Sequence, residues 1–270
     1  MFALVRSGIS SFSHPAVVMQ FFETCARYGD FFKVRKECII PLLEAMVGPR
    51  SVICLSCPVR SRRDNFRGVH HPLTHVRSRV FYLFYKFIKE DRNEIPVGLV
   101  ITLLDGIRDV LNIQAELPEP DTGSEQDLLA EAINNPGLFD SQLYLFEAAG
   151  ILTSMTFKTP DENKALMQSI VQPLLDQLSL NLQKVISSGA SAQQDILPIV
   201  TIHHVIMALG NVAKGFPDMP SPLPDTYILP PIDIFRQMTQ AIIVSLEAMN
   251  VFKIVRDAVS SVVKTLFVFP

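Results

Sequence analysis

Apolar residues recur along most of the chain at steps of three and four, the spacing that lines one side of a helix. No stretch alternates with the two-residue period of a half-buried strand. The segment Thr74–Glu90, THVRSRVFYLFYKFIKE, shows the helical pattern best. Val76, Val80, Leu83, Phe84 and Phe87 form one broad apolar face. Arg79, Tyr82, Lys86 and Lys89 recur at steps of three, four and three on the other side. That second stripe is basic with an aromatic in it. Thr74 is expected to cap this helix.

Other helices are predicted from the same period and from end signals. Residues 1–9 read as the tail of a helix whose start is absent. Ser13 is expected to cap a helix to about Tyr28, with Pro15 in its first turn and Gly29 as its stop. A helix follows over 34–47, with Pro41 bending it or marking its true start. Residues 95–111 predict the antiparallel partner of the Thr74–Glu90 helix. Asp140 or Ser141 is expected to cap a helix to about Met155. Thr159, Pro160, Asp161 and Glu162 make a capping box with proline at the first helical position. The helix they open runs to about Ile186 with Pro173 inside it. Residues 191–214, 232–250 and 251–267 complete the series.

Three stretches break the pattern. Residues 48–68 carry Arg50, Arg60, Arg62, Arg63 and Arg67 without helical period, and read as an irregular basic insertion. Residues 112–137 collect Glu116, Glu119, Asp121, Glu125, Asp127 and Glu131 with no Lys or Arg. They read as a solvated acidic linker with one helical turn near 126–133. Residues 216–231 are rich in proline and read as an extended loop. The organisation expected is helical repeats over 1–111, the linker over 112–137, and helical repeats over 138–270.

Consecutive helix pairs of this kind predict an all-α fold, a HEAT-like helical-repeat solenoid with a repeat of ~40–47 residues. Composition agrees. The chain is 48% hydrophobic and only 19% charged, and its mean hydropathy of +0.27 suits helices covered by neighbours on both sides. No window reaches the roughly 18 unbroken apolar residues of a membrane helix. The nearest, 196–209, is interrupted by Pro198, His203 and His204, so no membrane insertion is expected. Net charge is −3, which gives no global basic signal for nucleic acid. Any nucleic-acid contact must come from a local surface. The four cysteines form no disulfide-like framework, and a reducing compartment is expected.

The candidate chemistry divides sharply. Cys54, Cys57, His70 and His75 match zinc-finger spacing. Yet Ser61 and Arg67 stand where a finger needs its core residues, and Pro72 interrupts the histidine-bearing helix. No metal is expected there. The arginines of 48–68 attract phosphates, or are simply a solvated loop. His203 and His204 have no carboxylate or cysteine one turn away, and read as structural core histidines. No paired carboxylates, phosphate loop or nucleophile elbow is present, so no enzyme and no cofactor is expected. Arg79, Tyr82, Lys86 and Lys89 are the candidate RNA-binding residues, because a helix holds their spacing. A solvent-facing charged stripe is the plainer alternative.

VRSRVFYLFYKFIK resembles the central HEAT-type helices of the exportin-T family, the karyopherins that carry tRNA out of the nucleus. Residues 13–32, 140–152 and 164–178 resemble the same family in the same order. The resemblance implies a receptor that binds tRNA together with Ran-GTP, meets nuclear pore proteins, and shuttles between nucleus and cytoplasm. It also implies cargo read by backbone shape, which suits Arg and Lys better than base-edge contacts. Repeats that such a receptor carries before and after this region are expected outside the chain. A generic HEAT-type scaffold for protein partners, without RNA binding, is the alternative reading.

Overall fold

A helix that is apolar on one face must bury it against another element. Here the elements doing so are helices throughout. The computed structural model describes residues 1–12, 14–48, 68–118, 127–155, 159–188, 195–218, 221–222 and 230–266. Among them there is no strand, and the fold is the all-α helical-repeat solenoid that the periodicity predicts. The chain forms two compact units, Met1–Leu111 and Asn112–Pro270.

The first unit contains α1 (Phe2–Arg6), α2 (Pro15–Arg27), α3 (Gly29–Val34), α4 (Ile39–Val47), α5 (Thr74–Glu90) and α6 (Val100–Ile107). Its core is aromatic: Phe22, Phe32, Phe81, Phe84 and Phe87 are fully buried. Each such ring contributes about 1.5–3 kcal/mol by leaving water. Phe32 meets Phe87 edge to face at 5.3 Å, which ties α3 to α5.

Helix ends differ from expectation where local hydrogen bonds compete. Ser13 lies outside the described residues. The cap of α2 is His14, whose Nδ1 accepts from the Ala16 amide at 3.3 Å. Thr74 is not a cap either. Leu73 holds that position, while the Thr74 hydroxyl accepts from Arg77 at 3.3 Å instead. Helix α2 ends at Arg27, close to the expected stop, and Gly29 then opens α3. The helix expected over 34–47 is split by a 3-10 turn at Lys36–Cys38. Pro41 then falls in the first turn of α4, where its missing N–H leaves no bond unmade. The segment 95–111 is α-helical only over α6, which packs on α4. The irregular segment 49–67 lies outside the described residues.

The second unit contains α7 (Leu128–Asn134), α8 (Phe139–Ser154), α9 (Pro160–Ser188), α10 (Leu197–Lys214), α11 (Ile232–Met249) and α12 (Lys253–Leu266). Asp127 caps α7, accepting from the amides of Leu129 and Ala130. Within 112–118, Ile113 is buried, and the carbonyls of Asn112 and Ile113 accept from Gln142 and Gln177. Leu138, not Asp140 or Ser141, precedes α8. One half of the expected capping box is present, with the Thr159 hydroxyl accepting from the Glu162 amide at 3.2 Å. Pro173 sits inside α9. Helix α10 starts at Leu197 rather than at 191, because Pro198 takes the first turn.

Alternate helices stack. Helix α10 packs on α8 and α12, while α9 packs on α11, and α10 also meets α9. Two layers result, the arrangement of a helical repeat. Helices α8 and α10 are buried nearly all round. Their backbones approach too closely for a side chain between them. A Cβ on Gly150 would lie 2.1 Å from the Val212 carbonyl oxygen, and one on Gly215 2.3 Å from that of Glu147. Beside this crossing the buried Glu147 carboxylate accepts from Lys214 at 2.8 Å. Helix α10 is long and apolar enough to cross a membrane by length and composition, but 72% of it is buried within the protein.

His203 and His204 belong to this core. His204 stacks flat on Phe139 with ring centroids 3.8 Å apart. The two Nδ1 atoms are 3.1 Å apart. One ring must therefore carry its proton on Nδ1 and the other on Nε2. Burial pushes His203 down to about 4; burial and then the neighbouring ring push His204 down to about 3.

Gly150→Ala should destabilise the second unit by about 1–3 kcal/mol, as overpacking does. Differential scanning calorimetry would show a melting temperature several degrees lower. The histidines make a second prediction. Both are neutral in the fold, and the unfolded chain binds their protons near pH 6.5. Stability is therefore unaffected at neutral pH and falls as pH drops from 6.5 towards 4. A His203→Gln, His204→Phe double variant should flatten that acid limb in a melting series.

Candidate nucleic-acid interface

Helices α2 and α5 lie against each other through their apolar faces. Val18, Phe21, Phe22 and Cys25 of α2 are buried, as are Val76, Val80, Leu83, Phe84 and Phe87 of α5. All five residues of the predicted apolar face are thus in the core. The polar edges of the two helices are left side by side at the surface, and the candidate stripe runs along the α5 edge.

Arg79 is exposed but engaged. Its Nε donates to Glu23 Oε1 of α2 at 2.5 Å, and its guanidinium lies 5.0 Å from the centre of the Tyr82 ring. Tyr82 is half-buried and supports the guanidinium from beneath. Lys86, also half-buried, has its ammonium 4.0 Å from Glu90. Lys89 donates to the Tyr85 hydroxyl at 2.6 Å and sits 5.1 Å from that ring's centre. The structure therefore brings Arg79 and Tyr82 into contact. Lys86 acts on the same neighbourhood through its field, whereas Lys89 is drawn to Tyr85.

Sequence reasoning passes over two members of this surface, Glu23 and Arg27, one turn apart on α2. The Arg79 hydrogen bond holds the Glu23 carboxyl below the usual carboxylate range, and the charges of Arg79, Arg27 and Lys86 add to the effect. The same contact raises Arg79. Arg79 is thus in contact with this carboxylate, and the charges of Arg27 and Lys86 reach it. Exposed pairs of this kind contribute about 0–1 kcal/mol to stability, so the arrangement matters more for charge than for folding.

The other candidates are structural where they are described. Cys54 and Cys57 lie outside the described residues. His70 Nε2 donates to the Gly106 carbonyl at 2.9 Å, and its Nδ1 is 3.5 Å from an Asp109 oxygen. His75 is exposed in the first turn of α5. Among the described residues no three His, Cys, Asp or Glu side chains are grouped as metal ligands. Cys25 and Cys38 are buried free thiols, and burial pushes Cys25 up to about 12, out of reach of thiolate chemistry.

The exportin-T family model matches residues 1–268. The chain belongs to the exportin-T family. It is 52% identical to Exportin-T of Laccaria bicolor over 258 residues, which is 96% of this chain and 22% of the relative. It is 47% identical to Exportin-T of Coprinopsis cinerea, again over 96% of this chain and 22% of the relative. Exportin-T of Mycosarcoma maydis is 36% identical over 94% of the chain. The chain therefore spans about a fifth of the length of these relatives.

Proposed function

We propose that this chain is part of a nuclear export receptor, one that binds tRNA together with Ran-GTP and carries it from nucleus to cytoplasm. Membership of the exportin-T family across nearly the whole chain carries this reading. Nuclear pore proteins are the further partners such a passage requires. The role is one of binding and release, not of catalysis, and it needs no cofactor.

The contact surface we assign to RNA is the α5 edge, with Arg79, Tyr82, Lys86 and Lys89. Charge supports it: cations at helical spacing can follow a phosphate backbone, which reads shape without reading bases. The Tyr82 ring lies 5.0 Å from the Arg79 guanidinium, within range of a cation–π contact. The competing reading, a protein-binding scaffold with no RNA, is favoured by one observation. Arg79, Lys86 and Lys89 each already have a partner in the fold.

An electrophoretic shift of tRNA against duplex DNA of the same length, with Ran-GTP present, separates the readings. A receptor retards tRNA preferentially; a scaffold retards neither. The triple variant Arg79→Ala, Lys86→Ala, Lys89→Ala should weaken tRNA binding without changing the circular dichroism spectrum. Its salt dependence should flatten by about 0.7–0.9 for each phosphate no longer neutralised. Unchanged affinity and slope would leave the stripe a solvated face.

A further inference from the structure

The carboxylate of Glu23 takes the hydrogen bond of Arg79 Nε. It lies at the surface, 2.5 Å from the guanidinium, across the line where α2 meets α5. It accepts from the guanidinium that also lies 5.0 Å from the centre of the Tyr82 ring. Arg27 stands one turn further along α2 and Lys86 on the adjoining α5, and the charges of both act on it. Arg27 is exposed on α2 and extends the cationic surface beyond α5.

We infer that the phosphate-binding surface spans both helices, with Arg27 as a member, and that Glu23 is an internal phosphate mimic that occupies Arg79 until RNA displaces it. This rests on the tRNA reading for its ligand, but the mimicry concerns phosphate as such. The energetic logic is direct. An exposed ion pair is worth at most about 1 kcal/mol, so a phosphate that brings further cation contacts can displace the carboxylate. While the pair stands, Arg79 contributes little net charge to attract a backbone. Once the carboxylate is moved aside, the guanidinium can bind a phosphate through two parallel N–H donors. Glu23 thus lowers affinity for weakly matched anions more than for a ligand that engages Arg27 and Lys86 at the same time. Discrimination between ligands is a difference of affinities, and a built-in competitor is one way to enlarge it.

Fluorescence anisotropy across a KCl series tests this on the full chain, with a tRNA transcript, inorganic tripolyphosphate and polyglutamate as probes. Glu23→Gln should bind tRNA about two- to fivefold more tightly, the size of an exposed pair removed. Its salt slope should steepen by about 0.7–0.9, the increment for one more phosphate neutralised. Glu23→Ala should repeat the gain without an amide oxygen that could still hold Arg79. Arg27→Ala should weaken binding and flatten the slope by a similar amount. The decisive arm is the double variant Glu23→Gln, Arg79→Ala, in which the gain should vanish. A gain that survives the removal of Arg79 is a net-charge effect and overturns the mimicry. So does wild-type affinity and slope for tRNA and tripolyphosphate in both Glu23 variants, whatever the tRNA affinity of the wild type. If neither protein binds tRNA but tripolyphosphate shows the Arg79-dependent gain, the tRNA reading fails and the mimicry stands. A gain with polyglutamate alone would make the ligand an acidic protein and overturn the phosphate assignment.

Discussion

Helix α10 has almost no face to give to water. Ile199, Val200, Ile202, Val205, Ile206, Leu209 and Val212 point in several directions around it, and all are buried. Such a helix is stable only if neighbours cover it on every side. Helices α8, α9 and α12 do this, and the second unit is arranged around that requirement. The glycines are part of the same constraint. Close cover on the α8 side needs backbone against backbone, which Gly150 and Gly215 permit. On the α12 side Gly210 makes room for Val262. Two polar contacts lie in this core, Glu147 with Lys214 and His203 with His204.

The unit built from α1 to α6 uses a different solution. Its helices are one-sided, and its core is filled by phenylalanines from α2, α3 and α5. One-sided helices leave polar edges. Where α2 and α5 lie together, those edges combine into a surface that neither helix has alone. Arg79 and Lys86 of α5 come beside Glu23 and Arg27 of α2 in this way.

The difference between these two units explains what is legible in the sequence. Periodicity is strong in α5, so both its extent and its buried face follow from the spacing of Val76 to Phe87. The capping box at Thr159 is legible because its partners are three residues apart. Local competition is not. Thr74 has the right chemistry for a cap, but Arg77 takes its hydroxyl, and His14 serves α2 with a ring nitrogen that cap statistics hardly favour. The start of α10 is expected too early although residues 191–195 are mostly polar, and Pro198 marks the first turn. Of the candidate interface, the stripe on α5 is legible from spacing alone. Glu23 is not, because it lies 56 residues from Arg79 in the chain and only the packing of α2 on α5 brings them together.

Helix α9 carries a mechanical consequence. At 29 residues it is roughly 43 Å long, taking 1.5 Å per residue. Pro173 lies near its middle and deprives one carbonyl in the preceding turn of its amide donor. Bending stiffness is therefore lowest at that one turn, and the helix behaves as two stiff rods with a soft joint. The first rod is fastened to α11 by Lys164 and Asp233, 2.9 Å apart. The second is fastened near Ile113 by Gln177. Strain applied to this layer of the repeat array is absorbed at the proline, so the packing on either side of it can be kept while curvature changes.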